Sequence, residues 1–173
     1  QLGHGRLGTG ADAQAGFEEL QEFLGDNCDE VSLPGEFDPA VCNLRNIMNA
    51  DLARYLSPYM KQGEDRLSDT LRAMIDDGKS VSAVDYNDAV DQISPLAAWV
   101  QTLGEEYDAI LTPATCGEAP LGLDATGDPV FCTTWTYLGV PAVTIPLMEG
   151  DNAMPIGVQL VGPRGDDARL LRS

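Results

Sequence analysis

The segment FCTTWTYLGVPAVTIPL, residues 131 to 147, gathers the side chains with the clearest chemical use in this sequence. Cys132, Thr134 and Trp135 lie within four residues of one another, and Thr126 precedes them in TGDP. Hydroxyls and an indole N–H can orient a polar group and the indole face suits an apolar or aromatic one, so the stretch is either a turn into a buried strand or one wall of a binding site. Trp135 reads equally well as a core residue, because tryptophan is heavily buried on average. Cys132 has no histidine or lysine near it in sequence to favour a thiolate, and it is not expected to act as a nucleophile.

Nucleophilic chemistry without a metal needs an activated hydroxyl or thiol beside a base. The two lysines, Lys61 and Lys79, stand in polar surroundings that read as solvated faces or a helix end. The serines, at 32, 57, 68, 80, 82, 94 and 173, are scattered, and none lies in a glycine-rich loop. The run SVS at 80 to 82 is the densest, and a helix cap accounts for it. Cys28, Cys42, Cys116 and Cys132 contain no C-x-x-C pair, and His4 is the sole histidine, so neither a zinc site nor another cofactor is expected. The four thiols read as reduced, small apolar groups.

The elements that must carry these residues divide into a helical part, 1 to 106, and a strand-rich part, 107 to 173, within one expected domain. Ala13, Phe17, Leu20 and Leu24 fall at helical spacing, with Gly25 placed to end the helix. After the strand-like VSLP, Asp38 and Pro39 open a second helix along Val41, Leu44, Met48, Leu52 and Tyr55, which Pro58 is expected to close. Leu67, Leu71, Met74 and Ile75 mark a third, stopped by Gly78. Ser82 caps a fourth, which Pro95 should kink or split. Beyond Tyr107 the runs DAIL, AVTI and IGVQLVG read as strands, the last two paired across a turn at Glu149-Gly150-Asp151-Asn152. DAIL and AVTI are apolar at nearly every position, as strands covered on both faces are. DDARLL reads as the start of a last helix. Helices followed by strands give an α/β class with a covered sheet.

The 173 residues suit one folded domain, and no stretch approaches the ~20 apolar residues of a membrane span. Ten basic residues against 28 acidic ones give a formal charge of −18, a field that repels phosphate backbones and anionic lipid, so neither nucleic acid nor membrane is an expected partner. The start QLGHGRLGTG lacks the basic and apolar regions of an export signal, from which a cytoplasmic setting follows. Both ends read as cut.

From Tyr107 onward an ordered series stands out: YDAILTP, AP at 119 to 120, TGDPVF, Trp135, LGVPAVTIP, MPIGVQLVGP and DDARLL. This series resembles the C-terminal third of the amidase signature family, the Ser-cisSer-Lys amide hydrolases. RLSDTLRAMIDDG and the DY…A segment are similar to that family's middle region. The resemblance implies a mixed sheet covered by helices on both faces, with this chain forming the C-terminal portion of the fold. It also implies hydrolysis of a carboxamide to a carboxylate plus ammonia or amine through a serine acyl-enzyme. The serines, the lysine and the oxyanion-hole backbone would lie upstream, so no catalytic residue carries over onto this chain. Thr126, Cys132, Thr134 and Trp135 would then face the substrate's acyl side. The implied partners are a small-molecule amide and the missing N-terminal half, with self-association expected of the isolated piece. Two other readings stand beside this one: a part like the A subunit of a glutamyl- or aspartyl-tRNA amidotransferase, and a non-catalytic binding or assembly module.

Overall fold

The computed structural model describes residues 10–173, so His4 lies outside the described residues. The elements run α1 (Ala11–Leu24), α2 (Ala40–Gly63), α3 (Asp69–Ser80), α4 (Ala83–Asp91), α5 (Ile93–Glu106), β1 (Ile110–Pro113), α6 (Val130–Leu138), β2 (Ala142–Glu149), β3 (Pro155–Val161) and α7 (Asp167–Leu170). The helix ends follow local chemistry. Gly25 leaves α1 at φ 51° and returns its N–H to the carbonyl of Gln21, a conformation that costs glycine little. Ser68 Oγ accepts the Leu71 N–H at 3.2 Å and Ser82 Oγ accepts that of Asp85 at 3.0 Å, so each satisfies a free donor of a helix start. Pro95 divides the fourth expected helix into α4 and α5, and it sits in the first turn of α5, where its missing N–H has no intrahelical partner to lose.

Three local expectations are corrected. Pro58 lies inside α2, which runs on to Gly63, and the Ser57 hydroxyl donates to the Ala53 carbonyl one turn back. Packing of this long helix against α3, α4 and α6 outweighs the lost backbone bond. Gly78 does not end α3 but lies within it, buried, where an added Cβ would stand 1.8 Å from the carbonyl oxygen of Asn49. The glycine permits the close approach of α2 and α3. VSLP forms no strand, and it leads into a 3-10 turn at Gly35–Phe37 that buries Phe37.

The sheet has the order β1-β3-β2, antiparallel at both pairings. The parallel pairing that a mixed sheet would add is not among these three strands. In register, Thr112 and Thr144 both face Gln159, while Ile110 and Ala142 both face Val161. Helices lie on both faces. On one, Val161 joins Trp135, Tyr137, Leu138, Phe37, Leu96 and Val100 in the main core. On the other, α1 comes so near Met148 that a Cβ on Gly16 would touch its sulfur. Tyr137 ties three helices together by donating to the carbonyl of Ala89 in α4 and accepting from Asn43 of α2 at 3.2 Å. β2 departs from the expected two-sided cover: Ala142, Thr144, Ile145, Pro146 and Leu147 are exposed. It is an edge strand, and its irregularity between Ile145 and Met148 houses Pro146, a residue that sheets tolerate at edges and bulges.

Candidate active-site wall

Residues 131 to 138, read in sequence only as a polar approach to a turn, are helical. Val130–Leu138 forms α6, with Pro129 at its start and Gly139 at its end. Asp128 Oδ1 accepts the Val130 N–H at 3.0 Å, Pro129 stands at the helix entry with its fixed φ, and Gly139 closes the helix in the left-handed region at φ 60°. The threonines, weak helix formers, concealed the element. The helical period then separates the candidate residues. Thr134, Trp135, Tyr137 and Leu138 face inward, whereas Cys132 in the first turn is half-buried beside the sheet.

A polar cluster occupies the junction of α6 with the sheet. Gln159, 3% exposed, donates from Nε2 to Thr112 Oγ1 at 3.2 Å and to the carbonyl of Phe131 at 3.3 Å. Thr112 is buried and passes its own proton to the carbonyl of Pro113 at 3.2 Å. The Cys132 thiol lies 3.2 Å from the carbonyl of Ala114 and 3.5 Å from Gln159 Oε1, both within reach as acceptors. Burial pushes the pKa of Cys132 up, so at neutral pH it is a protonated donor rather than a thiolate. One buried amide thereby joins β1, β3 and the entry of α6. The arrangement is suited to orienting a group, and it contains no base that could activate a nucleophile.

Of the four candidates, only Cys132 belongs to this cluster. Thr126 lies exposed in the loop before α6. Thr134 is buried on the inward side of the helix. Trp135 is 2% exposed within the main core, and its indole Nε1 has no hydrogen-bond partner among the described residues. Gln159 and Thr112 were missed in the sequence. Their signal was a polar residue at the centre of an otherwise apolar strand, a position that is stable only when the polar group is paired.

Among the described residues, the hydrogen bonds of this junction involve no serine or lysine side chain. Lys61 is exposed, Lys79 is exposed and binds Asp76 at 2.7 Å, and Ser68 and Ser82 serve as caps. Cys28, Cys42, Cys116 and Cys132 are free, and among the described residues no group of His, Cys, Asp and Glu could hold a metal ion.

Comparison with known proteins places this architecture. The model of the Amidase family matches residues 33–171. A 2-amino-5-chloromuconic acid deaminase of Comamonas testosteroni is 27% identical over 169 residues, covering 92% of this chain but 35% of the deaminase. The A subunit of a glutamyl-tRNA(Gln) amidotransferase from Cereibacter sphaeroides is 39% identical over 79 residues, covering 41% of this chain and 16% of that protein. The fold superposes on a crystal structure of an amidase with a TM-score of 0.80 at 23% identity, over 94% of this chain and 40% of that one. A 6-aminohexanoate cyclic dimer hydrolase has the same fold at a TM-score of 0.67 and 21% identity, over 91% of this chain and 38% of the hydrolase. The chain thus spans 35% or less of the length of these two curated relatives. With most of its residues matched in order and its helices and strands laid out as in these structures, the chain belongs to the amidase signature family.

Proposed function

We propose that this chain is the C-terminal portion of an amidase that hydrolyses a carboxamide, at a non-peptide C–N bond, to a carboxylate plus ammonia or amine. The reaction proceeds through a serine acyl-enzyme whose serines and lysine come from sequence upstream. The observation that carries this reading is the match over residues 33–171 together with a buried polar cluster that can orient a group but has nothing to attack it with. In this reading the chain is one folded portion of a larger α/β enzyme. The entry of α6, with Cys132 and the nearby Thr126, forms its wall on the acyl side. Gln159 and Thr112 set the position of that wall, and Thr134 and Trp135 support it from the core. The four free thiols suit a reducing cytoplasm.

A second reading, a part of an amidotransferase A subunit, draws on the 39% identity to the Cereibacter protein. That likeness covers 41% of the chain, whereas the deaminase matches 92% of it, so hydrolysis is the better supported of the two.

The test is ammonia or amine release from simple aliphatic and aromatic carboxamides. The chain alone should remain at the uncatalysed background. Joined to a half that carries the serines and the lysine, it should turn over, and a serine-directed inhibitor should stop it. Inhibitor-sensitive activity in the chain alone would overturn the placement of the nucleophile.

A further inference from the structure

From Ser80 through Pro163 the sequence contains no lysine, arginine or histidine, while it carries eleven acidic residues. Every part of the candidate wall comes from this stretch: β1, the loop that follows it, the first turn of α6, and strands β2 and β3. The groups that meet at the junction, Thr112, Cys132 and Gln159, are neutral, and in register Thr144 continues their row to the exposed edge.

The nearest cations flanking the stretch, Lys79, Arg164 and Arg169, are engaged elsewhere, Lys79 with Asp76. Arg164 donates to the carbonyl of Leu138 at the far end of α6, roughly 9 Å along the helix axis from Cys132 at 1.5 Å per residue. Arg169 closes the end of α5 by donating to the carbonyl of Gly104 at 2.7 Å, and it also binds Tyr107 and Asp108. The positive end of α6 would attract an anion. It already has one, since Asp128 accepts the Val130 N–H there. Glu118, in the loop after β1, is held as a carboxylate by the N–H groups of Asn152 and Met154 and the side-chain amide of Asn152. A substrate carboxylate brought to this wall would lose water, find no countercharge among the described residues of β1, α6, β2 and β3 and face carboxylates of its own sign.

We infer that the acyl group received by this wall is uncharged or positively charged, and that amides bearing a carboxylate on that group are selected against. The inference rests on the amidase reading above and adds a substrate class to it.

The test uses the enzyme in which this chain is joined to its serine- and lysine-bearing half. Three amides share one acyl skeleton and end in a methyl, an ammonium or a carboxylate group. The carboxylate form should show kcat/KM about tenfold or more below the methyl form, mainly through KM, and the ammonium form should match or exceed the methyl form. Raising ionic strength from about 0.02 to about 0.5 M should narrow the gap, because screening shortens the reach of the acidic field. Thr126→Arg, at an exposed loop position, should raise kcat/KM for the carboxylate form about fivefold. A carboxylate form turned over as well as the methyl form overturns the inference and leaves the amidase reading in place. Turnover of none of the three overturns the amidase reading, and the substrate inference falls with it.

Discussion

Gln159 shows how much of the candidate wall depends on one side chain. Its amide is buried and gives both protons to oxygens on other elements, Thr112 of β1 and the Phe131 carbonyl of α6. Gln159→Leu keeps the approximate volume but leaves those acceptors without their donor in a site closed to water, at a cost of about 1–3 kcal/mol. Urea unfolding should show the loss as a lower midpoint with an unchanged slope. A variant as stable as the parent would mean that the cluster does not hold the wall. Thiol chemistry reads the same neighbourhood. Cys132 is half-buried and its thiol is held protonated by that burial, whereas Cys42 is exposed on α2. Iodoacetamide at neutral pH should therefore modify Cys42 well before Cys132, which peptide mass mapping resolves. Equal rates would place Cys132 in a more open setting than the junction described. The sequence allowed Cys132 to be singled out but concealed its partners, because hydrogen bonds between strands and a helix entry depend on register, and register is a long-range property.

At the scale of elements, propensity was a reliable guide where ends are set locally and failed where packing decides. Ser82, Gly25 and Pro95 act within their own turns, and their roles were legible. Gly78 and Pro58 were read as terminators by their residue type, yet both lie inside helices because α2 is packed along its length. The glycine is the sharper case. Gly78→Ala would set a methyl 1.8 Å from the Asn49 carbonyl oxygen, so α2 and α3 must move apart. Although alanine favours a helix over glycine by about 1 kcal/mol, overpacking should dominate, with a net destabilisation of about 1–3 kcal/mol in thermal or urea unfolding. Stabilisation by the substitution would mean that the two helices are not in close contact. The turn between β2 and β3 gives a pH test. Hydrogen bonds, first from the Asn152 side-chain amide and then from the Met154 and Asn152 N–H groups, together lower the pKa of Glu118 below its ordinary 4.5, although desolvation opposes them. A carboxylate with a depressed folded-state pKa stabilises the turn fully above its unfolded value and loses that contribution as pH falls through the lower, folded value. Protection of the Asn152 and Met154 amides from hydrogen exchange should therefore fall as pH is lowered below about 4.5. In Glu118→Gln the protection should be lower and flat across that window, and a parent profile that is equally flat would count against the contact.

For the molecule as a whole, a charge of −18 and an uncovered sheet edge act in opposite directions. The α/β class was legible because helical spacing gives way to short apolar strands near Tyr107. The exposure of β2 was not, since an apolar run shows that a strand is meant to be covered but does not show whether its cover lies in the same stretch of chain. Here Ile145 is 36% and Leu147 is 56% exposed on an edge strand whose only charged residue is Glu149, while Leu121 and Leu123 in the loop before α6 are fully exposed. Such a surface promotes association, whereas Pro146, the bulge beside it and the net negative charge oppose it. Salt weakens only the repulsive side of this balance. The Debye length falls from roughly 14 Å at 0.05 M to about 3 Å at 1 M, so like-charged chains can approach. Sedimentation velocity should show the isolated chain as a monomer at low salt and as larger species near about 1 M sodium chloride. Ile145→Lys should suppress those species by placing a charge on the edge. Joining the chain to the half that carries the serines and lysine should suppress them as well, if that half covers β2. Salt-driven association that Ile145→Lys leaves unchanged would locate the sticky surface away from this edge.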